Sequence, residues 1–179
     1  MVIPLFDAVV YPKSRTKFKV GPVTGKVLLD MLNSAGSARA IGLTVREGTD
    51  PAEMSADALY PTGTLLAISH VQPADDGCLV FAEAVARVKA ARITEADGVF
   101  SAICESVPDL SDLDEGSRAG ILAEIRAVIR EISGHFQGSE QFTRPVEKMD
   151  SVDQIMGFVM PFLPVDLEEK QELLEIASV

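Results

Sequence analysis

The stretch TLLAISHVQPADDGCLVFAEAVARVKAARI, Thr64–Ile93, decides the fold. Two runs rich in apolar residues, TLLAISHVQ and CLVFAEAVARVKAARI, flank Pro73-Ala74-Asp75-Asp76-Gly77, whose residue types favour a turn. That combination reads as two paired strands. Beyond them, VFSAICESV (Val99–Val107) reads as a further strand, with Phe100, Ala102 and Cys104 alternating against Ser101, Ile103 and Glu105. Before them, ARAIGLTV (Ala38–Val45) reads as a strand and REGTDPAEMSADALYPTG (Arg46–Gly63) as a long polar loop ended by Tyr60-Pro61 and Gly63. TGKVLLDMLNSA (Thr24–Ala35) predicts a short helix, because Val27, Leu28, Met31 and Leu32 recur at helical spacing. At the start, PLFDAVVYP (Pro4–Pro12) has five apolar residues among the seven between its prolines, and reads as a buried strand closed by Tyr11-Pro12. Strands with one short helix predict a curled sheet or small barrel over residues 1–110.

From about Ser111 the apolar period becomes helical. SRAGILAEIRAVIREISGHF places Ile121, Leu122, Ile125, Val128, Ile129 and Ile132 on one stripe, with Gly134 as the stop. MDSVDQIMGFVMPFLP starts at an Asp150 or Ser151 cap and ends against Pro161 and Pro164. VDLEEKQELLEIASV has Asp166 three residues before Glu169, the spacing of a capping box. Three helices with acidic outer faces predict a small helical lobe over residues 111–179, so the fold class is α+β with a β-rich lobe followed by a helical one.

The net charge of −11 is uneven: −3 over residues 1–110 (ten Lys/Arg against thirteen Asp/Glu) and −8 over residues 111–179 (six against fourteen). Such a surface repels phosphate backbones and disfavours nucleic acid as a partner. The local exception is KSRTKFKV, where Lys13, Arg15, Lys17 and Lys19 alternate with Ser14, Thr16, Phe18 and Val20. This reads as a solvated strand face that discourages edge pairing, with an anion site as the alternative. No apolar run reaches the ~18 residues of a membrane helix. Cys78 and Cys104 make no metal spacing, and read as reduced thiols of a cytoplasmic protein.

Catalytic motifs are absent or incomplete. GPVTGKV (Gly21–Val27) has three residues between its glycines where a phosphate-binding loop needs four, and Val27 stands where a magnesium-ligating hydroxyl is needed. It reads as a turn into a helix, with phosphate binding at Lys26 as the disfavoured alternative. His70 and His135 have no acidic or cysteine partner at ligand spacing, so no metal site is expected. Asp75-Asp76 and Glu168-Glu169 are accounted for by a turn and a helix start. These residues predict a binding module, not an enzyme.

Several of these segments together resemble one family, the N-terminal domain of Lon, the ATP-dependent protease. PLFDAVVYP is similar to its opening P-L-x-D-x-V-V-aromatic-P, and FKVG (Phe18–Gly21) to its F-x-V-G. DALYPTGTLLAI (Asp57–Ile68) resembles D-L-Y-x-x-G-T-[AV]-x-I with one inserted residue. GVFSA (Gly98–Ala102) and MPFLPVDLEEKQELLEIASV (Met160–Val179) complete an ordered set that spans nearly the whole chain. The chain departs from the family pattern V-x-G-x-x-R-A-x-I, where VARVKAARI puts Arg87 and Ala90 at the Gly and Arg positions, and Phe6 replaces the usual Arg before Asp7.

The resemblance implies a PUA-like pseudo-barrel lobe and a helical lobe that together collect unfolded or degron-bearing proteins. It implies that ATP, magnesium and a Ser–Lys dyad belong to modules outside this chain, with the rest of a Lon chain and neighbouring ring subunits as partners. The chain stops where the family's long helix begins, which is the expectation for an excised domain. A stand-alone peptide- or RNA-binding protein, or a structural module for ring assembly, is the alternative. Phe6, Phe18 and Tyr60 are the candidate aromatic contacts for substrate. Met54, Met149, Met156 and Met160 are the candidate adaptable ones, because an unbranched thioether side chain re-packs easily.

Overall fold

The computed structural model describes residues 1–108, 114–134 and 140–176. Among the described residues there are six strands: β1 (Val2–Leu5), β2 (Arg15–Val20), β3 (Ala38–Val45), β4 (Leu59–Ala74), β5 (Gly77–Ala96) and β6 (Val99–Ser106). Their order is β2-β5-β4-β3-β1-β6, and β6 pairs again with β5. Five strands therefore close on themselves as a pseudo-barrel, and β2 hangs outside the closure. The 20-residue β5 makes this possible. Its Cys78–Glu83 half pairs with β2 and its Val88–Ala96 half with β6, while β4 runs along its other edge. Register shifts at Leu65/Leu66, Ile68/His70 and Ala90/Arg92 bend the long strands enough to curl the sheet.

One core lies between the sheet and helix α1 (Pro22–Ala35), built on Ile3, Leu28, Leu66 and Val80. A second fills the other end of the barrel with Val2, Leu43, Leu59 and Phe100. Helix α1 starts with Pro22, whose fixed φ suits a first turn, and ends at Gly36 in the left-handed region (φ 67°). Gly25 lets that helix lie against the sheet, since a Cβ there would clash with Cys78 Sγ.

The C-terminal part holds α2 (Glu115–Ser133), α3 (Glu140–Glu147), α4 (Val152–Val159) and α5 (Leu167–Glu175). Asp114 and Ser151 cap α2 and α4, and Asp166 with Glu169 forms the expected capping box on α5. Leu122, Val146 and Ile155 centre the packing of α2 on α3 and α4.

Three expectations are corrected. The first strand is Val2–Leu5, not Pro4–Pro12, because Asp7 adopts a left-handed φ of 54° and turns the chain out of the sheet. The loop expected to reach Gly63 ends at Leu59, where β4 begins, and only Asp75-Asp76 separate β4 from β5. A fourth C-terminal helix, α3, stands beside the three expected, with Pro145 inside it. On the α2 stripe Leu122 is buried, but Val128 and Ile132 are each 53% exposed. The boundary expected at 110/111 and His135 lie outside the described residues.

Candidate functional site

Residues 6–14 form a strap between β1 and β2, laid along the seam between barrel and helices. A loop that buries Val10 and Tyr11 must satisfy its carbonyls, because an unpaired buried C=O is costly. Side chains do this: Thr44 Oγ1 donates to the Ala8 carbonyl at 3.3 Å, Thr64 Oγ1 to that of Val10 at 2.6 Å, and Ser14 Oγ to that of Tyr11 at 2.6 Å. The Tyr11 ring packs with Met160 and Leu174, and its hydroxyl donates to the Lys170 carbonyl at 2.6 Å. Burial pushes the Tyr11 phenol up to about 12, opposed by the nearby charge of Arg87.

The helices grip the strap and barrel at three further points. Gly157 of α4 faces Ser14, whose Cβ would lie 2.5 Å from an added Cβ. Asp153 of α4 receives Lys13 Nζ on Oδ2 at 3.2 Å and faces Arg87 Nη2 from Oδ1 at 3.9 Å. Gln171 of α5 donates from Nε2 to the Thr62 carbonyl of β4 at 2.9 Å. Arg87, a departure from the family pattern, thus reaches from β5 toward α4, while Ala90 packs in the barrel core.

The candidate contacts are not gathered into one patch. Phe6 is 42% exposed on the strap. Phe18 is half-buried against the core under α1, and Met54 against the Leu59–Phe100 end of the barrel. Tyr60 is half-buried with the Arg46 guanidinium 4.3 Å above its ring. Met160 is buried with Tyr11 and Leu174, Met156 packs at their edge, and Met149 joins the helical core.

Sequence reasoning missed the exposed run Pro161–Pro164, where Phe162 is 62% exposed and touches Phe158 with ring centroids 6.1 Å apart. Its two flanking prolines were the available signal, because they end the helix in a 3₁₀ turn (Met160–Phe162) with Leu163 extended beyond it, a segment that cannot present a helical face.

Other chemistry does not converge. Gly25 N donates to the Gly21 carbonyl at 2.9 Å, so GPVTGKV is the first turn of α1 and does not encircle a phosphate. Lys26 lies with Pro22, Leu29, Asp30, Asp75 and Asp76 on an open cleft of about 550 Å³. His70 is exposed at the β4 bulge, its ring 5.9 Å from that of Phe81. Among the described residues no group of three or more His, Cys, Asp or Glu is placed to hold a metal, and no helix is long and apolar enough to cross a membrane.

Residues 1–179 match the family model of the ATP-dependent protease La (LON) substrate-binding domain. The chain belongs to this family. It is 53% identical to the Lon protease of Methanosarcina barkeri over 179 residues, and 25% identical to that of Clostridium beijerinckii over 178. Those matches cover 100% and 99% of this chain but 22% of each relative, so it spans about a fifth of their length. In fold it is similar to the N-terminal domain of the Mycobacterium avium complex Lon protease, with TM-score 0.72 and 14% identity, covering 97% of this chain and 88% of that one. A Lon N-terminal domain protein from Xanthomonas campestris gives TM-score 0.62 and 17% identity, with 99% and 89% covered. The expected Lon family and α+β fold are therefore borne out. In this Lon substrate-binding domain the motif P-L-x-D-x-V-V-x-P builds the end of β1 and the strap whose Val10–Pro12 part is buried.

Proposed function

We propose that this domain captures unfolded or degron-bearing proteins for an ATP-dependent Lon protease and performs no catalysis of its own. The observation that carries the reading is the match of the whole chain to a substrate-binding domain family. The surface supports it: Phe6, Val128, Ile132 and Phe162 are exposed at dispersed points, and the clefts are open. Each such contact gains roughly 25 cal/mol per Å² of apolar area removed from water, which is weak alone and cumulative along an extended chain. ATP and magnesium act in a module outside this chain, the remaining Lon chain and neighbouring ring subunits are its partners, and it works in the cytoplasm.

The test is fluorescence anisotropy of a labelled, permanently unfolded protein titrated with the 179-residue chain, beside a folded form and a single-stranded RNA. Selective binding of the unfolded protein is expected. Binding of RNA alone, or equal binding of the folded form, would overturn the reading.

A further inference from the structure

We infer that the outer edge of β2 takes up an extended segment with alternating acidic and apolar residues, adding it to the sheet as a further strand. This deepens the substrate-capture reading and rests on it. β2 has one strand partner, β5, among the described residues, so its other edge carries unpaired backbone groups.

Which groups these are follows from the start of the strand. Ala84 N donates to the Ser14 carbonyl at 2.8 Å, and Lys13 N, at φ 59°, donates to the Ala84 carbonyl at 2.7 Å. That is a bulge of the kind with a left-handed first residue, and it makes Ser14 and Ala84 a hydrogen-bonded pair. Hydrogen-bonded and non-bonded pairs alternate along an antiparallel ladder. The bonded pairs are then Thr16 with Ala82, Phe18 with Val80 and Val20 with Cys78. The two-residue turn on the other side of β5 requires the same phase, with Ala74 and Gly77 closing the hairpin. The N–H and C=O groups of Arg15, Lys17 and Lys19 therefore point outward.

The side chains of the same three residues are exposed on one face, while Thr16, Phe18 and Val20 are half-buried on the other. An added strand would bring apolar side chains over Phe18 and Val20 and acidic ones beside the cations. Arg15 and Lys17 make no ion pair among the described residues. Lys19 meets Asp76 at 3.0 Å on the open surface, where such a pair contributes little. Charge complementarity chooses the occupant: a second β2 would set cation against cation, and a neutral strand would leave these charges unmatched.

The experiment follows amide hydrogen exchange of the 179-residue chain with a peptide alternating Glu and Val. Controls are a Lys/Val peptide, an N-methylated Glu/Val peptide that cannot pair its backbone, and single-stranded RNA. The Glu/Val peptide alone should slow exchange at Arg15, Lys17 and Lys19, and Lys17→Glu should weaken it about fivefold. Lys17→Pro should abolish binding while sparing the ladder to β5, because proline is tolerated where the N–H faces outward, with Lys17→Ala as the charge control.

The same peptide should displace the labelled unfolded protein. If the unfolded protein binds but the peptide neither protects these amides nor competes, the edge proposal fails and substrate capture stands. Protection without any binding of unfolded protein would support the edge and overturn capture. Equal protection by the N-methylated peptide or by RNA would overturn the strand-addition proposal.

Discussion

Arg87 of β5 and Asp153 of α4, separated by 66 positions in the chain, face each other across the seam at 3.9 Å, with side chains 4% and 12% exposed. Lys13 of the strap holds the second oxygen of the same carboxylate. One anion thus ties barrel, strap and helices together. Removing one member of a buried ionic group costs more than the group itself contributes, because the remaining charges stay desolvated. Asp153→Ala is expected to destabilise the chain by about 3 kcal/mol, read as a lower urea midpoint. Arg87→Met should cost less, since Lys13 still neutralises the carboxylate. An Arg87→Met, Asp153→Leu double variant should recover much of the loss. Equal costs for the two single variants would contradict the shared-anion account.

Lys13 occupies the left-handed position of the bulge that starts β2, a place where glycine is the unstrained residue. Lys13→Gly relieves about 1 kcal/mol of backbone strain, against the loss of a half-exposed ion pair of similar or smaller size. It should leave stability nearly unchanged or slightly raised. Lys13→Ala keeps the strain and loses the pair, so it should be the less stable of the two. Thermal unfolding of both variants side by side reads the difference.

What the sequence made legible were features set by local periodicity. The alternation of Arg15–Val20 and Val99–Ser106 and the Asp166–Glu169 box need only neighbouring residues, and each stands where expected. The strap was misread because an apolar run of this length looks the same whether it pairs as a strand or is buried as a loop. Thr44, Thr64 and Ser14, whose hydroxyls make burial of that loop possible, lie in other segments, and nothing local announces them. Arg87 was visible as a departure from the family pattern, but its partner Asp153 is fixed only by tertiary structure. The dispersed positions of Phe6, Phe18, Tyr60, Met54 and Met160 have the same origin, since residue type does not tell an exposed aromatic from a packed one.

Exposed apolar side chains should serve binding without serving stability. Phe162→Asp and Phe6→Asp, at positions 62% and 42% exposed, are each expected to shift the unfolding midpoint little, within about 0.5 kcal/mol. Each should weaken capture of an unfolded protein in the anisotropy assay. Met160→Asp, at a buried site, should instead unfold the seam. Unchanged binding in both surface variants would remove these aromatics from the substrate surface.

Tyr11 links stability to alkaline pH. In the folded chain its phenol ionises near 12 against 10.0 for a free group, because burial disfavours the phenolate. Between those values the unfolded chain releases a proton that the folded chain keeps. The stabilisation is therefore complete below pH 10 and is lost as pH rises toward 12. Tyr11→Phe removes the titration but leaves the Lys170 carbonyl without its donor, costing about 1 kcal/mol at pH 7. The variant should start lower and lose less between pH 10 and 12, so the two stability curves converge. Parallel curves across that range would show that Tyr11 does not govern the alkaline transition.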